Sequence, residues 1–448
     1  MKFPRLAAAF LLLASLVVYL TYVRKPGVSK LPPPPHHLSR TVLPDLSRDR
    51  FQYGIMIDAG STGTRIHVFQ FLLGENAAPQ LSHETFRAIK PGLSAYADDP
   101  DKCRDGIQEL LEVAKGTVPK SQWNSTPLVL KATAGLRLLP GEKATHLLDK
   151  VRAVFTESPF LSRGDSVSIM DGTEEGISAW ITINFLIGGL HDTDRSTVGT
   201  LDLGGGSTQI TFSPQDEKSI QTSPIDYITS FQMFNHTHTL YSHSYLGLGL
   251  MSARLAILGG VEGQPLEGST ELVSPCLAPE SSEHWRHAEV DYTVKGQKAG
   301  EPIYESCLRK VEKILYRKVK KAEEAKDVNF YAFSYYYDRA VDIGVIAENK
   351  GGAIKVNDYI EAAKEVCNSM AETPPKHSFL CLDLTYISVL LQELGFPKDK
   401  ELKVKYTAHR IGFSVKMRVI TLSLICAFQT ASSHSQRRTG MGSLCRWH

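Results

Sequence analysis

The period of apolar positions changes several times between residues 51 and 402, and each change marks an element. Two short apolar runs, Tyr53–Ile57 and Val198–Leu201, each lead into an aspartate, Asp58 and Asp202. Each crosses a stretch of small residues and re-enters a strand-like run, Arg65–Phe71 or Gln209–Phe212. Both therefore read as strand, Gly/Ser/Thr turn, strand. Asp105–Lys115 and Glu142–Phe155 place apolar residues at helical spacing, with Pro127–Ala132 a buried strand between them. Ser166–Met170 is a strand running into Asp171-Gly172-Thr173, where Thr173 is a suitable N-cap. The helix predicted there spans Glu174–Leu186 and carries Ile177, Trp180, Ile181 and Phe185 on one face. Met251–Leu258, Tyr304–Lys318 and Asn357–Met370 read as helices, Asn329–Phe333 as a strand and Gly259–Thr270 as a surface loop.

A chain of 448 residues is too long for one ordinary core. A β-hairpin followed by an αβ block, twice over, predicts an α/β fold of two actin-like, ribonuclease-H-like lobes. Lobe I would span 51–195 and lobe II 196–402, with the site in the cleft between them.

Composition narrows the class. With 42% hydrophobic and 22% charged residues the chain is globular, and a net charge of +2 gives no global field for nucleic acid. The uncharged run Leu6–Val23, between a five-residue tail and Arg24-Lys25, has the minimum length to span a bilayer. It reads as a signal anchor followed by a proline-rich stem over 24–50; a cleavable signal peptide is the rival. None of the seven cysteines forms a Cys-x-x-Cys pair. Cys276 with Cys307 and Cys367 with Cys381 are the local bridges to expect, and Cys103, Cys426 and Cys445 have no evident partner. Asn124 and Asn235 stand in glycosylation sequons. Together these favour a lumenal body of type II topology.

The repeated loops carry the chemistry. A carboxylate at a strand end, followed by residues small enough to leave backbone amides open, suits an anion and its counter-cation. Two such loops, at Asp58 and Asp202, facing each other would grip nucleotide phosphates from both sides. Lys131–Arg137 adds a hydroxyl, Thr133, and a guanidinium, Arg137, at a strand-to-helix turn. Asp171–Gly176 sets Glu174 and Glu175 at a helix N-terminus, where acids also simply complement the helix dipole. Tyr335 and Tyr336, in the run Tyr335-Tyr336-Tyr337, are candidates to stack on a base, although such runs more often enter a core. No Gly-x-x-x-x-Gly-Lys-Ser/Thr loop is present, which argues against a P-loop enzyme.

In this order, Asp58–Arg65, Lys131–Arg137, Asp171–Trp180 and Asp202–Ile210 resemble four of the five signature regions of the nucleoside triphosphate diphosphohydrolase (apyrase) family. The resemblance covers Tyr53 to about Leu402, and segments such as Lys90–Ser94, Ser244–Gly247 and Tyr331–Asp338 are similar to its short, single-anchor members. It implies hydrolysis of nucleoside diphosphates, chiefly GDP, UDP and IDP, with Ca²⁺ or Mg²⁺, in Golgi or reticulum membranes or after secretion by cleavage. Glu175 matches the family's base, and Thr133, Ser207 and Gln209 match residues that place the attacking water. Asp58 and Asp202 would hold a cation through waters. Ser61, Thr62, Gly63, Thr64, Arg65, Gly204, Gly205, Gly206 and Arg137 would take phosphate oxygens.

The fifth signature, an Asn-x-Glu-x-x-Trp-x-Leu-Gly segment, has no match in Lys403–His448, an atypical tail. That departure leaves open a catalytically impaired, nucleotide-binding form. An exopolyphosphatase-like phosphatase shares the duplicated loops and a Glu at the third region, but the anchor, sequons and cysteine pairs argue against it; a sugar-kinase or actin-like ATPase is a weaker third option.

Overall fold

The first sheet is built on the first hairpin. Strands β1 (Phe51–Ala59), β2 (Thr64–Gly74) and β3 (Ala77–Ile89) form an antiparallel meander, and β4 (Leu128–Ala132) and β5 (Val167–Ile169) add in parallel, giving the order β3-β2-β1-β4-β5. The computed structural model describes residues 51–405, apart from 61, 75–76, 191–196, 234–235, 262–269, 289, 299, 301, 349 and 373–376. Helices α1 (Cys103–Thr117), α2 (Ala134–Arg137) and α3 (Lys143–Glu157) follow the sheet strands in the chain. Ile107, Leu110, Leu111 and Ala114 on α1, and Leu147, Val151, Val154 and Phe155 on α3, share one stripe each. Those stripes cover Ile55, Ile57, Ile66, Val68, Leu128 and Leu130 on one face of the sheet.

The opposite face, with Met56, Phe69 and Phe71, receives Ala179 of α4 (Gly172–Leu186). This helix is apolar nearly all round and buried from Glu175 to Asn184, as a helix covered on every side must be. Its other side, through Ile177, Trp180 and Ile181, packs on Phe231, Met233 and Leu240 of the second sheet. The N-cap differs from expectation. Asp171, not Thr173, caps α4: its backbone is extended and its Oδ1 accepts from Glu174 N at 2.9 Å.

The second sheet repeats the plan. β6 (Gly199–Leu203) and β7 (Ser207–Phe212) form its hairpin, α5 (Glu217–Thr222) follows, and β8 (Ile228–Met233) and β9 (His236–Leu246) extend the antiparallel side. After α6 (Leu250–Leu258) comes a small sheet of β10 (Glu271–Ser274), β11 (Ser282–His287) and β12 (Val290–Gly296). Helix α7 (Ile303–Leu315) leads to β13 (Phe330–Ser334) and α8 (Tyr335–Asp342). β14 (Gly351–Lys355), α9 (Val356–Ser369), α10 (Leu380–Leu394) and β15 (Glu401–Lys405) complete the described chain. The large sheet runs β14-β15-β13-β6-β7-β9-β8. Its parallel neighbour of β6, β13, stands where β4 stands beside β1. The result is one mixed α/β unit holding two sheets of like construction.

Both expected disulfides are formed, Cys276–Cys307 and Cys367–Cys381, in the helical layer of the second sheet. Cys103 is free, and burial pushes its thiol up to about 11. Leu402 and Val404 are buried in β15, so the first residues of the expected tail belong to the sheet. The anchor, the stem, Ser61, Asn235, Cys426, Cys445 and the chain after 405 lie outside the described residues. No described helix is long and apolar enough to cross a membrane.

Candidate active site

The two hairpins match residue for residue at their turns. Asp58 lies opposite Arg65 across the first, and Asp202 opposite Gln209 across the second. The amide of Gly60 closes its loop on Gly63 O at 3.1 Å, and that of Gly204 closes on Ser207 O at 2.9 Å. Extending each pair along the register gives two rows, Lys131–Asp58–Arg65–Ala88 and Phe333–Asp202–Gln209–Ser244. The duplication is therefore a fact of pairing geometry. The chemistry of the rows has diverged: the first flanks its aspartate with two cations, the second with uncharged groups.

In the first row Asp58 is 1% exposed, and Arg65 Nη1 lies 3.2 Å from its Oδ2 and 3.3 Å from Gly63 O. Arg65 is thus turned onto its own loop. Thr62 is exposed at the turn, whereas Gly63 and Thr64 are buried. Lys131 Nζ donates to Ser168 Oγ at 2.7 Å on the next strand.

In the second row Ser334 Oγ donates to Asp202 Oδ1 at 2.7 Å, and Thr208 Oγ1 donates to Asp202 O at 2.8 Å. Ser334 has φ of 56°, an unusual conformation for a residue with a side chain, at the turn from β13 into α8. The glycine loop is held from behind. The carbonyls of Gly204, Gly205 and Gly206 accept from the amides of Leu250, Met251 and Gly247 at 2.8 to 2.9 Å, and Ser252 N adds a second bond to Gly205 O at 3.1 Å. A trans peptide directs its N–H opposite its C=O, so the amides of Gly205, Gly206 and Ser207 point away from that support. Gly249 makes the close approach possible, since a Cβ there would meet Ser207 N at 2.3 Å.

Between the rows stands Glu175, 8% exposed in the first turn of α4. Its Oε2 accepts from Arg137 Nη2 at 2.9 Å and from Gln209 Nε2 at 3.1 Å. Arg137 also donates to Met170 O at 2.7 Å and Ser207 Oγ at 3.1 Å, and Gln209 to Ser207 Oγ at 2.8 Å and Ser244 Oγ at 2.9 Å. Thr133 is the N-cap residue of α2, the short helix that carries Arg137, and its amide donates to Ala59 O at 3.2 Å beside Asp58. Helix α4 reaches this position because it lacks side chains where it touches the sheet. A Cβ on Gly172 would lie 2.2 Å from Ser244 Cβ, and one on Gly176 2.6 Å from Thr211 Oγ1. Glu174 is exposed; partial desolvation, then the neighbouring Asp171 carboxylate, raise its pKa against the opposing pull of Lys131.

The geometry thus brings Glu175, Arg137, Ser207 and Gln209 into one bonded cluster. It does not do so for the aromatic pair. Tyr336 is 0% exposed within the second core, so neither face of its ring is available to a base. Its neighbour Tyr335 is half-buried against the same core, under the Arg339 guanidinium at 5.9 Å. The turn at Ser334 directs Tyr336 and Tyr337 inward, where area burial outweighs any surface role. Ser334, Ser244 and the amides of Leu250–Ser252 were not legible as site residues, because strand order alone brings them to the loop.

Asp58 and Asp202 are oxygen donors suited to a hard cation. Among the described residues no three His, Cys, Asp or Glu side chains converge to chelate one directly. A cation shared between two separate carboxylates through waters fits this donor set.

A model described as the GDA1/CD39 (nucleoside phosphatase) family matches residues 45–411. Ectonucleoside triphosphate diphosphohydrolase 6 of Mus musculus is 62% identical over 352 residues, 79% of this chain and 77% of that protein. The Homo sapiens protein of the same name is 60% identical, over 79% of this chain and 73% of its own. Ectonucleoside triphosphate diphosphohydrolase 5 of Bos taurus is 51% identical, over 80% and 84%. A crystal structure of nucleoside triphosphate hydrolases from Neospora caninum superposes with a TM-score of 0.58 at 16% identity, covering 88% of this chain and 96% of that one, and so shares the fold. Paired Asp loops, a buried glutamate between them and a match over most of the length lead to one conclusion: the chain belongs to the GDA1/CD39 nucleoside phosphatase family.

Proposed function

We propose that this chain hydrolyses the terminal phosphate of nucleoside diphosphates, with GDP, UDP and IDP preferred over triphosphates, using Ca²⁺ or Mg²⁺ in the secretory-pathway lumen. The observation that carries this reading is the convergence of Glu175, Arg137, Ser207 and Gln209 between two matched Asp loops. Amides of Gly205, Gly206 and Ser207, with Thr62–Arg65 opposite, receive the phosphate oxygens. Asp58 and Asp202 would hold a hydrated divalent cation, which when bound would supply charge neutralisation for the phosphates. Ser207, Gln209 and Thr133 hold a water in line with the bond to be broken. Its oxygen bonds to the terminal phosphorus as the bridging P–O bond breaks, and its proton passes to Glu175. Inorganic phosphate and a nucleoside monophosphate leave.

Two disulfides and an exposed sequon asparagine, Asn124, support an oxidising, lumenal setting reached through the N-terminal anchor. The test is phosphate release by the purified full-length chain from GDP, UDP, ATP and polyphosphate, each with Ca²⁺ or Mg²⁺. Release fastest from the nucleoside diphosphates supports the reading. Release from polyphosphate alone, or from none of the four, overturns it.

A further inference from the structure

Asp383, in the first turn of α10, is 0% exposed and faces two arginines from two other helices. Arg254 of α6 grips it through Nη2, at 2.7 Å from Oδ2 and 3.0 Å from Oδ1, and through Nε at 3.2 Å. Arg339 of α8 adds Nη1 at 3.3 Å from Oδ2. Arg339 continues to Asp342 at 3.2 Å, and Asp342 to His377 Nε2 at 3.3 Å near the surface. The Arg254 guanidinium lies 4.4 Å from the Phe379 ring centroid and 5.6 Å from that of Trp285, so the pair is walled in by aromatics.

Stability alone does not call for this arrangement, because well-packed apolar residues usually replace a buried ion pair without loss. What α6 and α8 share is where they begin. The first amides of α6, at Leu250–Ser252, hold the carbonyls of Gly204 and Gly205. α8 starts directly after Ser334, whose hydroxyl holds Asp202. Arg254 is the fifth residue of α6 and Arg339 the fifth of α8, so each lies one turn behind its helix's contact with the site. One carboxylate therefore ties together the two supports of a loop that must present phosphate-binding amides and a cation-binding aspartate only a few residues apart.

We propose that Asp383 is a positioning residue: by fixing α6 against α8 it sets the spacing between the glycine loop Gly204–Gly206 and Asp202. The role in turnover rests on the reaction proposed above; the effect on the loop does not.

The experiment compares the full-length chain with Arg254→Met/Asp383→Leu, which replaces the pair by apolar side chains while Arg339 keeps Asp342. Melting temperature, amide hydrogen exchange at residues 204–207, and KM and kcat for GDP are measured together. The expected result is an unchanged melting temperature, exchange at 204–207 faster by about tenfold, and a KM raised by a similar factor with a smaller fall in kcat. Wild-type exchange and KM in a variant of wild-type stability would overturn the proposal. So would a uniform rise in exchange over the whole second sheet. If the double variant does not fold, Arg254→Lys keeps the charge and loses the fork. The same local exchange increase is then expected, and its absence overturns the proposal. A wild-type chain that releases no phosphate from GDP removes the proposed function, while the exchange comparison still decides the role of Asp383 in the loop.

Discussion

Arg137 Nη2 and Glu175 Oε2 meet at 2.9 Å from positions 38 residues apart. The candidate base is therefore an ion-paired carboxylate, and its partner also spans to Ser207 on the opposite sheet. Under the proposed reaction, an incoming phosphate would compete for that guanidinium, and any donor it drew away would leave the carboxylate freer to accept a proton.

Removing the carboxylate tests the first half of that statement. Glu175→Gln keeps the shape and can still bond Gln209, so nucleotide binding should survive while kcat falls by at least about 10². Steady-state kinetics beside an equilibrium binding measurement distinguishes the two. Near-normal turnover in the folded variant removes Glu175 from the role of base.

Removing the cation tests the second. Arg137→Met removes the guanidinium that Glu175 and Ser207 share, and losing the charged hydrogen bonds should cost about 1.5–3 kcal/mol of stability. In Glu175→Gln/Arg137→Met the losses should be clearly less than additive, because the two residues share one interaction. Additive losses in denaturant titrations would show that the pair is not coupled.

Gly176 gives a prediction from packing alone. A methyl there meets Thr211 Oγ1 at 2.6 Å and Ser242 Oγ at 2.9 Å, so Gly176→Ala must push α4 off the second sheet or displace both hydroxyls. The strain should cost about 1–3 kcal/mol despite the better helix propensity of alanine. Because Glu175 is the adjacent residue, phosphate release should fall with it. A melting temperature equal to or above wild type contradicts the close contact.

His67 makes stability depend on pH. It lies in the first sheet against Glu84, between Phe69 and Phe86, and is wholly buried. Burial first, and the Arg65 charge second, hold its pKa well below the usual 6.5. The unfolded chain takes up that proton near pH 6.5 and the folded chain does not, so protons favour unfolding. Stability from this residue is present above about pH 6.5 and declines as pH falls toward the lower folded pKa, by at most about 1.4 kcal/mol per pH unit. His67→Gln should flatten the fall in melting temperature between pH 7 and 5. Parallel curves for the two proteins would place the proton elsewhere.

The hydrated-cation reading of Asp58 and Asp202 makes metal dependence the expected outcome. Chelation should abolish phosphate release and added Ca²⁺ or Mg²⁺ should restore it, and Asp202→Ala should lose activity that no added cation recovers at ordinary concentration. Activity persisting in excess chelator would sink the hydrated-cation reading of Asp58 and Asp202.

Much of this architecture is local, and so was legible in the sequence. A strand ending in aspartate and followed by Gly, Ser and Thr has few other ways to fold, and both hairpins form where the pattern places them. The helical stripes of α1 and α3 are set by spacing, and both short-range disulfides form as spacing suggests. What the chain did not declare is which distant strands become neighbours. Ser334 reaches Asp202 across 132 residues and Arg254 reaches Asp383 across 129, and no local period encodes either contact. The aromatic run failed for a related reason. Whether Tyr336 faces a cleft or a core is fixed by the turn at Ser334, and that turn depends on β13 lying beside β6. Capping was ambiguous by two positions, since Asp171 and Thr173 both offer the needed oxygen and only the backbone conformation chooses between them.

The bridge Cys367–Cys381 closes only two residues before Asp383, at the start of the same helix. On the proposal that Asp383 positions the glycine loop, the bridge anchors the same turn. Without the bridge, the turn of α10 that carries the carboxylate would lose its covalent tie to α9. A chain whose thiols stay reduced would carry every residue of the candidate site and lack that tie, so on this reading two cysteines outside the site bear on its adjustment.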